Sequence, residues 1–379
     1  MKNEFINSIE AVGELAWQNL TNDSSPFTHY KFHEALEKSQ SVCTKSGWQP
    51  HHLLCSEYNS ANTTEIKAII PMYLKQHSWG EYVFDWAWAD AYDQHNVPYY
   101  PKLVATVPFT PITSDKIISN SCEQLDLFPI LIEHCQKQQI NSWHILFTHK
   151  TPIPALLQHH VFERNTVQFH WFNKQYNDFD EFLSTFTARK RKNVKKERIT
   201  ISEQNIKIRQ VRGKDVTEQE LAFFYLGYQL TYLKRGHTPH LTADFFAKAL
   251  SSLPDNILLI IASLDGEDVA CAWFFFDEYQ LYGRHWGCTK SLNNLHFELC
   301  YYQGIEFCIT HKINVFNPGA QGEHKLQRGF IPVLTYSYHW IKHQGFQPAI
   351  KEFCKQEQRQ MQTYLTHCQT LLPFKTMTE

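Results

Sequence analysis

The chain has 379 residues, 43% of them hydrophobic and 15% aromatic, and a formal charge of −2 at pH 7. This composition excludes a disordered or collagen-like chain, and the length exceeds the roughly 250–300 residues at which one hydrophobic core stops growing, so two domains are expected. No stretch approaches the roughly 18 consecutive apolar residues of a membrane-spanning helix, so no transmembrane segment is expected.

The N-terminal stretch "MKNEFINSIEAVGELAWQNL" carries acidic residues and no continuous apolar core, unlike a secretory signal. The ten cysteines, at 43, 55, 122, 135, 271, 288, 300, 308, 354 and 368, contain no Cys-x-x-Cys pair and read as reduced, mostly buried thiols. Both features point to the cytoplasm. The first half predicts strands over 51–57 ("HHLLCSE"), 65–75 ("EIKAIIPMYLK"), 81–90 ("EYVFDWAWAD") and 102–109 ("KLVATVPF"). A helix over 127–139 and a strand over 143–148 ("WHILFT") follow. The second half repeats this order loosely, so the chain reads as two mixed α/β domains, residues 1–160 and 161–379, joined near 158–168.

The second half opens on "FDEFLSTFTARKRKNVKKER", in which Phe179, Phe182, Leu183 and Phe186 have the spacing of a helix's inner face. From Arg189 to Arg198 the sequence then holds seven basic residues and one acidic one, a local +6 that leaves −8 for the rest of the chain. Like charges four apart on a helix repel, so such a run is expected to meet an anion, either a phosphorylated ligand or RNA. Arg189, Arg191 and Lys192 are its expected contacts. No aromatic residue interrupts the run, which argues against stacking of single-strand bases there, and DNA is not an expected partner.

Two helices, over 217–236 and 242–253, lead into "NILLIIASLDGEDVACAWFFFDEYQLYGRHWGC" (Asn256 to Cys288). This stretch reads as three antiparallel strands joined by turns at "DGED" and "DEYQ". Alternation along the third strand puts Arg284 and Trp286 on one face and His285 on the other. A helix over 292–312 carries Glu298 in its first turn, followed by the short strand "INVF". The loop "NPGAQGEHKLQRGF" (Asn317 to Phe330) comes next. Asn-Pro and two glycines stop the strand, and Glu323, His324, Lys325 and Arg328 follow within a few positions.

Metal-ligand spacings, a Walker loop, a dinucleotide-binding glycine motif and a Gly-x-Ser-x-Gly elbow are all absent from the sequence, and no metal is expected. The basic run, "GRHWGC", "LHFELCYYQGIEFC", "NPGAQGEHKLQRGF" and, in the first half, "PYYPKLVATVPFTP" together resemble the FemAB-like N-acyltransferases over nearly the whole chain. The resemblance implies an α+β fold class of two tandem GNAT-like domains, each a mainly antiparallel mixed sheet flanked by helices. It also implies acyl transfer to an amine, the acceptor being a small molecule or a cell-wall precursor. The donor is either acyl-CoA, acetyl-CoA included, or aminoacyl-tRNA. At the junction where GNAT enzymes carry a glycine-rich pyrophosphate loop, "GCTKSLNNLHFE" has only Gly287, which counts against coenzyme A.

Amide formation needs a base for the attacking ammonium, a donor for the oxyanion and cations for the donor's phosphates. Glu298, Glu323 and His324 are the candidate bases. Arg284, Trp286, Gly319, Gln321, Gly322, Lys325 and Arg328 are expected to line the substrate groove. The alternative is a non-catalytic RNA- or phospho-ligand-binding protein on a degenerate acyltransferase scaffold.

Overall fold

The computed structural model describes residues 2–21, 25–58, 64–119, 127–151, 156 and 158–375. Two compact units partition the chain, residues 1–166 with 334–363 and residues 167–333 with 364–379.

In the first unit, Lys2–Ile6, His52–Tyr58 and Thr64–Ile70 form an antiparallel sheet in that order. Pro71 interrupts the single strand expected over 65–75, and Met72–Lys75 pairs instead with Trp48–Pro50 and Lys102–Ala105. Lys102–Ala105 runs parallel to Ser142–Thr148, which pairs antiparallel with Tyr336 to Ile341. Leu53, Met72, Leu103, Trp143 and Trp340 form the core, closed by Leu131 and Cys135 of the helix Leu127–Lys137. The strand expected over 81–90 is instead the helix Trp86–Gln94. Trp88 and Tyr92, four residues apart, are its buried residues, and the aromatic alternation of Trp86 and Trp88 only imitates a strand's period. Residues 158–168, expected to be a linker, run into the strand Phe162–Phe172.

The second unit bears out the expected meander. Ile257–Leu264, Glu267–Phe276 and Gln280–Cys288 pair antiparallel in sequence, with Lys207–Arg212 beyond the first. On the other side, Val315–Asn317 pairs parallel with Gln280–Cys288 and antiparallel with Trp171 and Phe172. One face packs Leu258, Ile260, Ala272 and Phe274 against Phe186 and against Phe182, Val194, Leu299 and Ile305 of the flanking helices. The residues between them face the other way, where Trp273 meets Phe224 and Phe246 of the helices Glu218–Leu233 and Ala243–Ser252. A capping box between Thr217 and Glu220 starts the first of these helices. It crosses the meander backbone to backbone: a Cβ on Gly287 would lie 2.1 Å from the carbonyl carbon of Gly227, so side chains at both positions are excluded. Among the described residues no helix is long and apolar enough to cross a membrane, and nine cysteines are free thiols; Cys122 lies outside them.

Candidate active site

Parallel pairing of Gln280–Cys288 with Val315–Asn317 covers only Gln280↔Val315, Leu281↔Phe316 and Tyr282↔Asn317. Beyond it the meander strand bulges. Trp273 faces His285 and Phe274 faces Gly283, which leaves Arg284 as the extra residue. The bulge breaks the simple alternation expected for 284–286 and brings the Arg284 guanidinium toward Gly319, whose Cβ position is 3.9 Å from Nη1.

The loop after Asn317 is built around that glycine. Gly319 has φ +90°, its N–H donates to the Asn317 side chain at 2.9 Å, and its carbonyl accepts from Lys325 Nζ at 2.7 Å. Gly322 has φ +115° and lies under the His324 ring, 2.5 Å separating its Cβ position from Cε1, so any side chain there would displace the imidazole. Glu323–Arg328 then forms a short 3-10 helix. Within it Lys325 and Arg328 are buried at 2% and 6% exposure, whereas Glu323 and His324 are exposed.

Burial pushes the Lys325 amine down to about 7; the nearby Cys300 thiol opposes the shift and the Arg284 charge adds to it. His324 falls below the ordinary histidine range through partial burial and the charges of Arg328 and Lys325, so it is neutral at pH 7. Its Nε2 shares a 2.8 Å hydrogen bond with the Tyr301 hydroxyl. His296, 5.1 Å from Trp286 between ring centroids, is lowered to about 4 by burial and then by the charges of His324, Lys325, Arg328 and Arg235. Basic side chains therefore converge on this end of the sheet.

The three carboxylate and imidazole candidates are not equivalent. Glu298 is buried, and both its oxygens accept from Arg198, at 2.9 and 3.1 Å, with Gln303 adding a third bond at 2.9 Å. Arg198 also reaches Glu306 at 2.7 Å, and this group lines a hollow of about 690 Å³ with Phe179, Asp180 and Lys195. Glu323 accepts from the Tyr364 hydroxyl at 2.6 Å. Only His324 offers an exposed neutral base beside Lys325. Gln321 is exposed and Trp286 half-buried.

The basic run lies on the helix Ala188–Glu203 and is compensated in part. Lys195 pairs with Asp180 at 2.7 Å, Arg198 with Glu298 and Glu306, and Lys190 with Gln327. Among the described residues the side chains of Arg189, Arg191, Lys192 and Lys196 have no hydrogen-bond or ion-pair partner, and Arg191, Lys192 and Lys196 border an open hollow of about 420 Å³ with Ile199. Sequence reading missed Glu197, Tyr301 and Tyr302. The adjacent tyrosines reach different partners, His324 and Glu197, from the π-helical turn Glu298–Tyr302, which the hydrophobic spacing does not announce.

The match to a family model over residues 8–376 decides the family, one described as peptidoglycan biosynthesis/recognition. The chain belongs to the FemAB-like family. FemX is similar in structure, with a TM-score of 0.53 at 10% identity over 93% of this chain and 100% of that one. So are the C-terminal domain of a protein named as a lysylphosphatidylglycerol synthetase from Agrobacterium fabrum (TM-score 0.51, 8% identity, 91% and 96% covered) and a protein of unknown function from Bacteroides thetaiotaomicron (0.53, 10%, 89% and 99%). No curated protein matches the FemAB-like chain in sequence. At these identities the likeness is one of fold, a mixed α/β architecture of mainly antiparallel sheets flanked by helices, as the motifs implied. Among the described residues no group of three or more His, Cys, Asp or Glu side chains could hold a metal ion.

Proposed function

We propose that this FemAB-like protein is an N-acyltransferase that moves an acyl or aminoacyl group from an ester or thioester donor to an amine on a cell-wall precursor. The pairing of an exposed neutral His324 with a buried Lys325, on a loop held against the Arg284 bulge, carries this reading. His324 takes a proton from the acceptor ammonium, and the freed nitrogen attacks the donor carbonyl carbon. The oxyanion that forms is stabilised by protonated Lys325 and by Arg284. Collapse breaks the bond to the donor's hydroxyl or thiol, which leaves with the proton held by the imidazolium; the attacking nitrogen then gives its surplus proton to the regenerated imidazole, which releases it to water, and a neutral amide remains.

The unpaired cations Arg189, Arg191, Lys192 and Lys196 are suited to a polyanionic donor. The names of FemX and the lysylphosphatidylglycerol synthetase and the family's description support acyl or aminoacyl transfer toward peptidoglycan-related or lipid acceptors. Aminoacyl-tRNA is the preferred donor and acyl-CoA the alternative. The test supplies each donor with a nucleotide-linked cell-wall precursor bearing a free amine and detects the amide by mass spectrometry. Product with wild type, formed about 10²-fold or more slowly by His324→Ala, is expected. A wild type that binds RNA yet forms no amide from either donor would instead support the binding-only protein.

A further inference from the structure

Glu197 is the single acid in the run from Arg189 to Arg198, and it faces inward. One of its oxygens accepts from Arg328 Nη2 at 2.7 Å and the other from the Tyr302 hydroxyl. Arg328 stacks 3.5 Å from the centroid of the Phe297 ring and donates from Nη1 to the His324 carbonyl at 2.7 Å. The His324 ring in turn meets the hydroxyl of Tyr301, the chain neighbour of Tyr302. These contacts close a circuit: Glu197, Arg328, His324, Tyr301, Tyr302 and back to Glu197. In a regular α-helix, adjacent side chains diverge by about 100°. Here, from the π turn Glu298–Tyr302, the Tyr301 hydroxyl reaches His324 on the loop and the Tyr302 hydroxyl reaches Glu197, whose other oxygen holds Arg328.

We infer that Glu197 is the positioning residue of the site, balancing the buried Arg328 so that this arginine grips the His324 backbone while Tyr301 fixes its ring. The inference rests on the proposed role of His324 as base. It assigns the acid within the donor-facing helix to holding the reacting imidazole. The charges facing His324 are Lys325 and Arg328 from its own segment, while the neighbouring helix presents the Tyr301 hydroxyl and the neutral ring of His296; Glu197 offsets the Arg328 charge.

The test follows the His324 imidazole by proton–nitrogen NMR in the full chain, together with amide formation. In Glu197→Gln, His324 should titrate at lower pH than in wild type, because the Arg328 charge is no longer offset, and kcat should fall about 10- to 100-fold with KM for the amine unchanged. Glu197→Asp should recover most of both. Burying Arg328 without its partner endangers folding, so the double variant Glu197→Gln/Arg328→Gln is the second measurement. It removes both charges and should raise the His324 titration above wild type while kcat stays low. An unmoved His324 titration in the folded single variant, or wild-type kcat in the double variant, would overturn the inference. Absence of any wild-type amide formation would instead defeat the proposed reaction, and the NMR shifts would still report on the circuit.

Discussion

Lys102 in the first unit and Lys325 in the second are both buried, and their surroundings are opposite in kind. In the first unit Lys102 is fully buried and donates to Ser78 at 2.7 Å, Glu81 at 2.8 Å and Asp85 at 2.5 Å, so three acceptors surround one ammonium. Lys75, also fully buried, sits 3.4 Å from the centroid of the Trp48 ring and is pushed down to about 6 by burial, Glu81 opposing. Among the described residues of the second unit, Lys325 hydrogen-bonds only the Gly319 carbonyl, and its charged neighbour Arg284 repels it. A buried charge surrounded by counter-charges specifies structure. One held by a single carbonyl beside another cation remains electrostatically unsatisfied and attracts an incoming anion or developing oxyanion. The comparison assigns stability to the first cluster and chemistry to the second.

The largest expected effect separates them directly. Lys102→Met should destabilise the first unit by about 3–5 kcal/mol, since Glu81 and Asp85 would be left buried without their cation. Urea denaturation measures it, and a loss below about 1 kcal/mol would remove the contrast between the clusters. Lys325→Met, which removes an ammonium that is already costly to bury, should cost far less stability while lowering amide formation by about 10²-fold or more.

The second expectation is a narrow bell-shaped pH profile. His324 must be neutral, and its value lies below the usual 6.5, so activity rises as pH climbs through the range below 6.5. Lys325 must be protonated to meet the oxyanion, so activity falls as pH passes through about 7. Lys325→Arg should remove the alkaline limb, because arginine stays charged throughout. A profile in the arginine variant that still falls near pH 7 would show that another group sets this limb.

Legibility in the sequence follows the range of the interaction that decides each feature. The meander was readable because strand period and turn residues are local, and so was the glycine-rich end of the core strand. The helix Trp86–Gln94 was misread because its aromatic spacing fits both periods over a few residues. The basic run looked uncompensated because its partners are distant in sequence: Arg198 meets Glu298 and Glu306, about a hundred positions away. The same distance concealed that Glu298 is held by an arginine and that Glu197 reaches the loop. A π turn has no hydrophobic signature of its own, so Tyr301 and Tyr302 could not be assigned their targets.

Smaller in size is the response of the open cations. Replacing Arg189, Arg191 and Lys192 with Gln should leave stability within about 0.5 kcal/mol of wild type, since among the described residues these side chains have no partners to lose. Binding of tRNA should weaken and its logarithmic salt slope should flatten by about 2 to 3, close to one per lost phosphate contact. An unchanged slope would mean that these cations only solvate the helix.

The smallest expected effect tests whether the exposed part of the loop is divided as proposed. Glu323 and His324 are neighbours and both exposed, but the Glu323 carboxylate is engaged by Tyr364 at 2.6 Å whereas the His324 ring stands beside Lys325. Glu323→Gln keeps an acceptor for the Tyr364 hydroxyl and should change melting by less than about 0.5 kcal/mol. Its kcat should stay within about 2-fold of wild type, against a loss of about 10²-fold or more for His324→Ala. Measuring both rates on protein of matched melting temperature isolates the chemistry from the fold. A large loss in Glu323→Gln with little in His324→Ala would transfer the base to the carboxylate, and Lys325 would then stand beside an anion rather than a neutral imidazole.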